Sequence, residues 1–485
     1  MIGRERISVA GMMKKIAKEY RRVLKIILFC LPFILGVYGY FVLADFRLAD
    51  ALFHAIGLYA MSDLDTPPNL FVEIARWTAP LVTASGLIWM FTVLRERFGN
   101  WIRYIRGNSI AVYGEGPDAK GILNELAGRG IRGKNAFVRA NRYILLGKEE
   151  ENFAFYRQNR EKLHDKKVYM KCSSLHYQME DPNLKFFCEE ETAARLYWKQ
   201  SGFYRQAKSR NYRMKVSIIG FGKLEQELLV WGLQDNIFSA GQRLEYHVFG
   251  DGNRFRALYH ELGQIQDPVI FHDSPWYENL DVLQESDRII IQDGEELKNL
   301  IFALPGKNIE VLAEDEERVR LLEVQERLCL FFWKKEAQRL DNILEDSLLE
   351  NAKRLNLRYA HIYSQVEENE DNMESEWNKL DSFTRYSNIS AADYHEIRCL
   401  MLEDWKAEHG KEEPDSVYAE MLSELEHIRW CRYHYLNNWK YGIPENGKNK
   451  DKKQQIHKDL VPYDGLSEAD KEKDRENVRI LMKLL

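Results

Sequence analysis

The chain has 485 residues, 45% of them hydrophobic and 30% charged, with 69 Lys and Arg against 75 Asp and Glu for a net charge of −6. Together with a mean hydropathy of −0.47, this composition excludes a disordered chain and a polytopic transporter, and the length calls for more than one domain. The small acidic excess offers no basic groove to nucleic acid, and six cysteines without a C-x-x-C pair indicate neither a zinc site nor a disulfide framework.

Residues 1–23 form a basic N-terminus, and residues 24–98 hold two apolar segments, Leu24 to Ala44 and Trp77 to Leu94. Ile26 to Ala44 is a run of 19 residues without a charge, close to the roughly 20 that span a bilayer core. A cleaved signal peptide competes with this reading, but the run is long for a signal core and Val42-Leu43-Ala44-Asp45 is a poor cleavage context. Eight Lys and Arg between Arg4 and Lys25 precede the first segment, and Arg95, Arg97, Arg103 and Arg106 follow the second. The positive-inside rule then puts both termini in the cytoplasm, with the lipid bilayer of a bacterial-type inner membrane as partner.

Between the segments, Ala49 to Met61 is apolar but too short to span, and Ser62-Asp63-Leu64-Asp65-Thr66-Pro67-Pro68 breaks any helix. A span, a short re-entrant helix, a polar turn and a second span resemble the layout of a two-span potassium-channel pore. The filter departs from that family: Tyr59-Ala60-Met61-Ser62-Asp63 stands where the family has Thr-Val-Gly-Tyr-Gly. The resemblance implies an ion path at Tyr59, Ser62, Asp63 and Asp65. Two readings stay open, a weakly selective pore lined by those carboxylates and a helical hairpin that only anchors the rest.

From Ser109 the pattern is α/β. Ser109 to Tyr113 runs into Gly114-Glu115-Gly116-Pro117-Asp118 and a helix over Ala119 to Leu126, the opening of a Rossmann unit. Further strands are expected at Arg142 to Leu146 and Lys167 to Met170, with a helix over Glu149 to Leu163, giving a first domain at 108–210. The pattern restarts at Lys215 to Ile219, Gly220-Phe221-Gly222-Lys223-Leu224-Glu225 and a helix through Leu233, with strands at Leu244 to Phe249, Pro268 to Phe271, Asp287 to Gln292 and Asn308 to Ala313, a second domain at 214–313. Gly220, Gly222, Lys223 and Asp251 are its candidate nucleotide-binding residues, Asp251 standing where an acid would accept ribose hydroxyls. Glu225 replaces the third glycine of the fingerprint, and its carboxylate would lie where a phosphate binds a helix N-terminus. Two spans followed by tandem units of this kind resemble the TrkA-N or RCK regulatory domains of potassium transport proteins. That resemblance implies an oligomeric gating ring with NAD(H) or another nucleotide as regulatory ligand.

Residues 314–376 read as a helical connector, with Val319, Leu322, Leu328, Phe331 and Phe332 at helical spacing, followed by an acidic run. In the helical region 377–485, the segments Leu425-Glu426-His427-Ile428-Arg429-Trp430, Trp439-Lys440-Tyr441-Gly442, His457-Lys458-Asp459-Leu460-Val461-Pro462-Tyr463 and Leu466-Ser467-Glu468 closely resemble the ryanodine receptor repeat, or RyR, domain over 418–485. Bacterial members suggest sensing of a small nucleotide-type ligand. Trp430, Trp439 and Tyr441 would stack a base while His427, Arg429 and Arg432 bind phosphate; the alternative makes the same aromatics the core of a small helical domain.

No Ser-His-Asp set, Walker loop, HExxH or metal-spaced cluster supports catalysis. The expected fold is an α-helical membrane hairpin, two doubly wound Rossmann-like α/β domains and a small, mostly α RyR-type domain. The expected function is a ligand-gated cation channel or membrane-permeabilising effector, a homo-oligomer and most simply a tetramer, since two spans enclose a pore only around a symmetry axis. A membrane-anchored nucleotide sensor without conduction is the alternative. A nicotinamide-dependent oxidoreductase ranks third, with Glu225 against it.

Overall fold

The computed structural model describes residues 27–62, 69–134, 136–173, 181, 183–314, 316–322, 325–344, 347–445 and 447–483. They form two compact units, 1–107 and 108–485.

In the first unit, α1 (Ile27–Phe41), α2 (Leu48–Gly57, prolonged by a 3-10 turn over Leu58–Ala60) and α3 (Leu70–Ile105) close on a core of Tyr40, Ala51, Leu58, Val72, Ala75 and Ala79. Small residues let the helices approach: a Cβ on Gly39 would lie 2.6 Å from Val72 Cγ2. Asn69 starts α3 by accepting the Val72 amide at 2.9 Å and donates to the Gly39 carbonyl at 3.1 Å, while Thr83 donates to the Tyr59 carbonyl at 3.0 Å. The short apolar segment is thus a helix packed beside α1 and α3, ending at Met61 with φ +59. Among the described residues only α3 is long and apolar enough to cross a membrane; α1 and α2 with its turn are shorter apolar helices. Asp63 and Asp65 lie outside the described residues.

The second unit opens with a five-stranded, wholly parallel sheet of β1 (Ile110–Tyr113), β2 (Gly130–Gly133), β3 (Arg142–Leu145), β4 (Lys167–Lys171) and β5 (Leu184–Phe187) in the order 2-1-3-4-5. This is the flavodoxin-type winding rather than the dinucleotide order. Its helices include α4 (Pro117–Glu125), α5 (Glu149–Gln158) and α6 (Arg160–Leu163), so the single helix expected over Glu149 to Leu163 is two pieces broken at Asn159. The next helices, α7 (Glu189–Gln200) and α8 (Phe203–Ser209), fall inside the first domain as read from sequence, yet their Tyr197, Trp198 and Phe203 are buried in the core of the second sheet.

That second sheet has six parallel strands: β6 (Arg213–Ile219), β7 (Arg243–Phe249), β8 (Val269–His272), β9 (Arg288–Gln292), β10 (Ile309–Leu312) and β11 (Leu328–Phe331). Counted within the sheet, the order is 3-2-1-4-5-6, that of a dinucleotide-binding Rossmann fold. Its connections carry α9 (Lys223–Asp235), α10 (Asn253–Leu258), α11 (Leu280–Glu285), α12 (Glu295–Ala303) and α13 (Glu316–Arg320). The sixth strand corrects the helical reading of the connector: Leu328 to Phe331 is four apolar residues without alternation, pairing with β10 at the sheet edge with Leu328 and Leu330 packed on one core and Phe331 on another, while Cys329 is exposed.

Helices then follow: α14 (Trp333–Ala337), α15 (Leu340–Leu344), α16 (Ser347–Ser364), α17 (Glu370–Lys379, built from most of the acidic run), α18 (Ser382–His409), α19 (Ser416–Leu436) and α20 (Glu468–Lys483). Asp381 and Asp415 cap α18 and α19, each accepting an amide at 2.9 Å, and Gly410 ends α18 at φ +64. Between α19 and α20 lies a small sheet of β12 (Lys440–Tyr441), β13 (Lys450–Asp451) and β14 (Ile456–His457).

Candidate functional site

Helix α19 has two polar faces with different duties. On one, His427, Trp430 and His434 stand at helical spacing and face α20, which answers with Asp470, Lys473, Asp474 and Asn477. Asn449, Lys450, His457 and Asp459 from the small sheet, with Tyr359 and Phe383 from α16 and α18, complete a cavity of about 330 Å³. That volume is at the small end for ligand sites.

The histidines in it differ in charge. His427 Nε2 donates to the Val461 carbonyl at 2.8 Å and Nδ1 lies 3.2 Å from Asp474 Oδ2. Burial opposes its charge, but the Asp474 carboxylate and the Cys431 sulfur, 3.4 Å from Nε2, together more than offset this and the pKa rises to about 10, so His427 is an imidazolium at neutral pH. Burial instead pushes His434 down to about 3 and His457 to about 4. Hydrogen bonds set their tautomers: His434 Nδ1 donates to the Trp430 carbonyl at 2.8 Å, leaving Nε2 an acceptor, while His457 Nδ1 accepts the Asp459 amide at 3.1 Å, leaving Nε2 to carry the proton. The Trp430 ring lies 4.0 Å from His434 and 4.9 Å from His457. The wall therefore offers an aromatic surface with one neutral acceptor and one neutral donor, with Lys450 at the mouth and Lys473 there paired with Asp470 at 2.6 Å. This suits a planar, uncharged ring, with acidic and basic groups both at its edge.

Of the six residues singled out in this domain, His427 and Trp430 line the cavity. Trp439 is buried behind it, stacked on Phe383 at 5.3 Å, and Tyr441 is 55% exposed and does not line it. The two arginines belong to the other face of α19, which corrects their assignment to phosphate. Arg429 Nη2 pairs with Glu426 at 2.7 Å and Nη1 donates to Ser390 Oγ at 3.1 Å. Arg432 pairs with Asp267 of the second α/β domain at 2.7 Å and donates to the Leu233 carbonyl at 3.0 Å. Both are buried, at 1% and 2% exposure, and turned away from the cavity. His434 was findable seven residues beyond His427, and His457 sits in the quoted His-x-x-Leu-Val-Pro-Tyr run; Lys450, Lys473 and Asp474 carry no local signal.

The glycine turn of the second sheet is where a dinucleotide would lie, and its polar side chains have partners within the protein. Gly220 takes φ +88, and the buried Glu225 carboxylate turns back to accept backbone amides of Gly222 and its own residue. A Cβ on Gly222 would be 3.0 Å from Glu225 Oε2. Burial raises the pKa of Glu225, and those amides oppose the rise. The helix-end anion position is thus filled from within. Lys223 donates to Glu190 Oε2 and Cys188 Sγ, both at 2.9 Å, and Asp251 accepts the Asn253 amide at 3.0 Å as the turn into α10. Gly220, Gly222, Lys223 and Asp251 stand at the strand ends of the second sheet, with Lys223 committed to the start of α7 and Asp251 to its own turn. In the first unit of the chain, Tyr59 and Ser62 close the α2 turn, the Ser62 amide donating to the Gly57 carbonyl at 2.9 Å.

Residues 412–485 match the family model of the RyR domain. No curated protein matches the chain. Among solved structures, one component of dipicolinate synthase from Bacillus halodurans aligns over 50% of this chain and 98% of its own at 10% identity with a TM-score of 0.23. The wall teichoic acid polymerase TagF aligns over 66% of this chain and 96% of its own at 8% identity with a TM-score of 0.18. Neither score supports an argument about this chain.

Proposed function

We propose that this protein is a membrane-anchored, ligand-gated effector in which the RyR-type cavity takes a small nucleotide-type ligand and the helical unit of α1 to α3 passes cations in response. The carrying observation is the cavity itself: Trp430 flanked by two neutral histidines with lysines at the mouth. The route for a response starts at α19, whose opposite face is fixed to the second α/β domain through Arg432 and Asp267, while α18 is fixed to α7 by Asp393, 2.5 Å from Arg195 and 2.8 Å from Lys199. A ligand that favours one position of α19 therefore favours one arrangement of the α/β body, which is a population shift. Support for the membrane end of the scheme comes from α3 and the basic residues flanking the apolar segments.

The test is a melting-temperature screen of the full-length protein in mild detergent against mononucleotides, cyclic and linear oligonucleotides, and NAD. A hit should stabilise the wild type and lose its effect in Trp430→Ala and His457→Ala. No hit, or a hit indifferent to both substitutions, removes the sensing site from the scheme. Native mass in nanodiscs separates the alternatives downstream: a tetramer keeps the channel, and a monomer leaves an anchored sensor.

A further inference from the structure

The first α/β sheet has a cationic rim. Arg129 immediately precedes β2 and its carbonyl accepts the Ile110 amide at 3.1 Å; Arg142 opens β3 opposite Ile110; Lys167 opens β4 opposite Arg142. With strands about 4.8 Å apart, Lys167 begins one strand spacing from Arg142, and Arg129 about two from it on the other side. Arg139, in the loop leading into β3, adds a fourth cation. All four side chains are exposed. None makes an ion pair among the described residues; the carboxylate that Lys167 feels, Glu374, is already bonded to Lys353 at 2.6 Å.

This concentration runs against its surroundings. Residues 126 to 148 contain six Lys and Arg and no Asp or Glu, in a body of 55 Lys and Arg against 67 Asp and Glu over residues 108–485. Cations on an edge strand deter pairing with other chains, which accounts for Arg132 on β2. It does not account for Arg142 and Lys167, which open interior strands, where like charges in register repel. An external anion relieves that repulsion. The rim is also where the chain arrives from α3: only Arg106, Gly107, Asn108 and Ser109 separate Ile105 from Ile110, a tether of at most about 18 Å. The Ser109 carbonyl accepts the Arg142 amide at 3.1 Å, and Arg103 and Arg106 continue the positive charge into the tether.

We infer that the rim of Arg129, Arg139, Arg142 and Lys167 is a docking face for the anionic phospholipid headgroups of the bilayer that holds α3. The inference rests on the membrane reading above. Guanidinium groups take phosphate bidentately, and juxtamembrane cations are drawn to anionic leaflets within a Debye length.

The full-length protein, reconstituted in vesicles of phosphatidylcholine alone or with one third phosphatidylglycerol, is exposed to trypsin and cleavage after Arg139 is timed. The glycerol lipid should slow that cleavage on the order of fivefold or more, the effect of about one surface cation's attraction, and high salt should restore it. Arg129→Gln/Arg142→Gln/Lys167→Gln should cleave alike in both vesicles, whereas Arg129→Lys/Arg142→Lys should keep the difference; unchanged melting of each variant guards against misfolding. Equal cleavage of wild-type protein in the two lipids overturns the inference while leaving membrane insertion intact. Protection by inorganic phosphate or a soluble nucleic acid without anionic lipid also overturns it. Failure of the protein to float with vesicles sinks the membrane reading itself.

Discussion

Glu426 is a carboxylate wholly buried beneath the candidate cavity, and replacing it with Gln should be among the most damaging single changes in the C-terminal third. It receives Arg429 Nη2 at 2.7 Å and Asn477 Nδ2 at 2.7 Å, and Arg398 Nη1 lies 3.1 Å away, so one acid joins α18, α19 and α20. Each ion pair at these distances is worth roughly 5–6 kcal/mol in gross attraction at an effective dielectric of 20, most of it offset by desolvation. Removing the charge alone leaves two buried guanidiniums without a counter-ion, a net loss of about 3–5 kcal/mol. Differential scanning calorimetry of the full-length protein should show this as a fall of roughly 5–10 °C. Arg398 sharpens the test, because it meets Glu426 as an ion pair while none of its three nitrogens has a hydrogen-bond partner among the described residues. Arg398→Met should be near neutral by itself and should recover part of the Glu426→Gln loss. A loss below about 1 kcal/mol, or simple additivity in the double variant, would refute the reasoning.

Four further outcomes follow from the same structure. His427 has a folded pKa raised to about 10 against an ordinary 6.5, so its stabilisation is complete below pH 6.5 and disappears as pH rises through 10; the urea midpoints of wild type and His427→Gln should therefore converge over that interval. His434 and His457 are shifted the other way, to about 3 and about 4, so their burial destabilises the fold as pH falls from 6.5, and His434→Gln should flatten that acid limb. With the anion position of the second sheet filled by Glu225, about 1 mM NAD should leave the melting temperature unchanged, whereas a site with a Kd near 10 μM would add about 2.7 kcal/mol; a shift abolished by Gly222→Asp would revive the oxidoreductase. In the helical unit, Gly39→Leu should cost about 1–3 kcal/mol or more in detergent stability, because its Cβ alone meets Val72 at 2.6 Å.

The repeating strand, glycine turn and helix make both α/β domains legible, since period and turn chemistry are local. Strand order is not local: nothing in Ser109 to Leu146 distinguishes a 2-1-3-4-5 winding from the 3-2-1-4-5-6 of the second sheet. Leu328 to Phe331 reads as helix because a run of four apolar residues carries no period of its own. In the RyR-type domain, the aromatic and histidine runs point to the right helix, but the side of the helix each residue occupies depends on partners far away. Arg432 is committed to Asp267, and the cavity's Lys473 and Asp474 come from a helix that begins only at Glu468. Glu225 is recognisable as an obstacle by size; that its carboxyl turns back onto the Gly222 amide is a property of the folded loop.

The most direct measurement is cation efflux from vesicles containing the full-length protein, begun by adding whichever nucleotide raises its melting temperature. The account predicts ligand-dependent efflux from wild type and none from Trp430→Ala at equal protein incorporation. Efflux that ignores the ligand, or that survives Trp430→Ala unchanged, would contradict it.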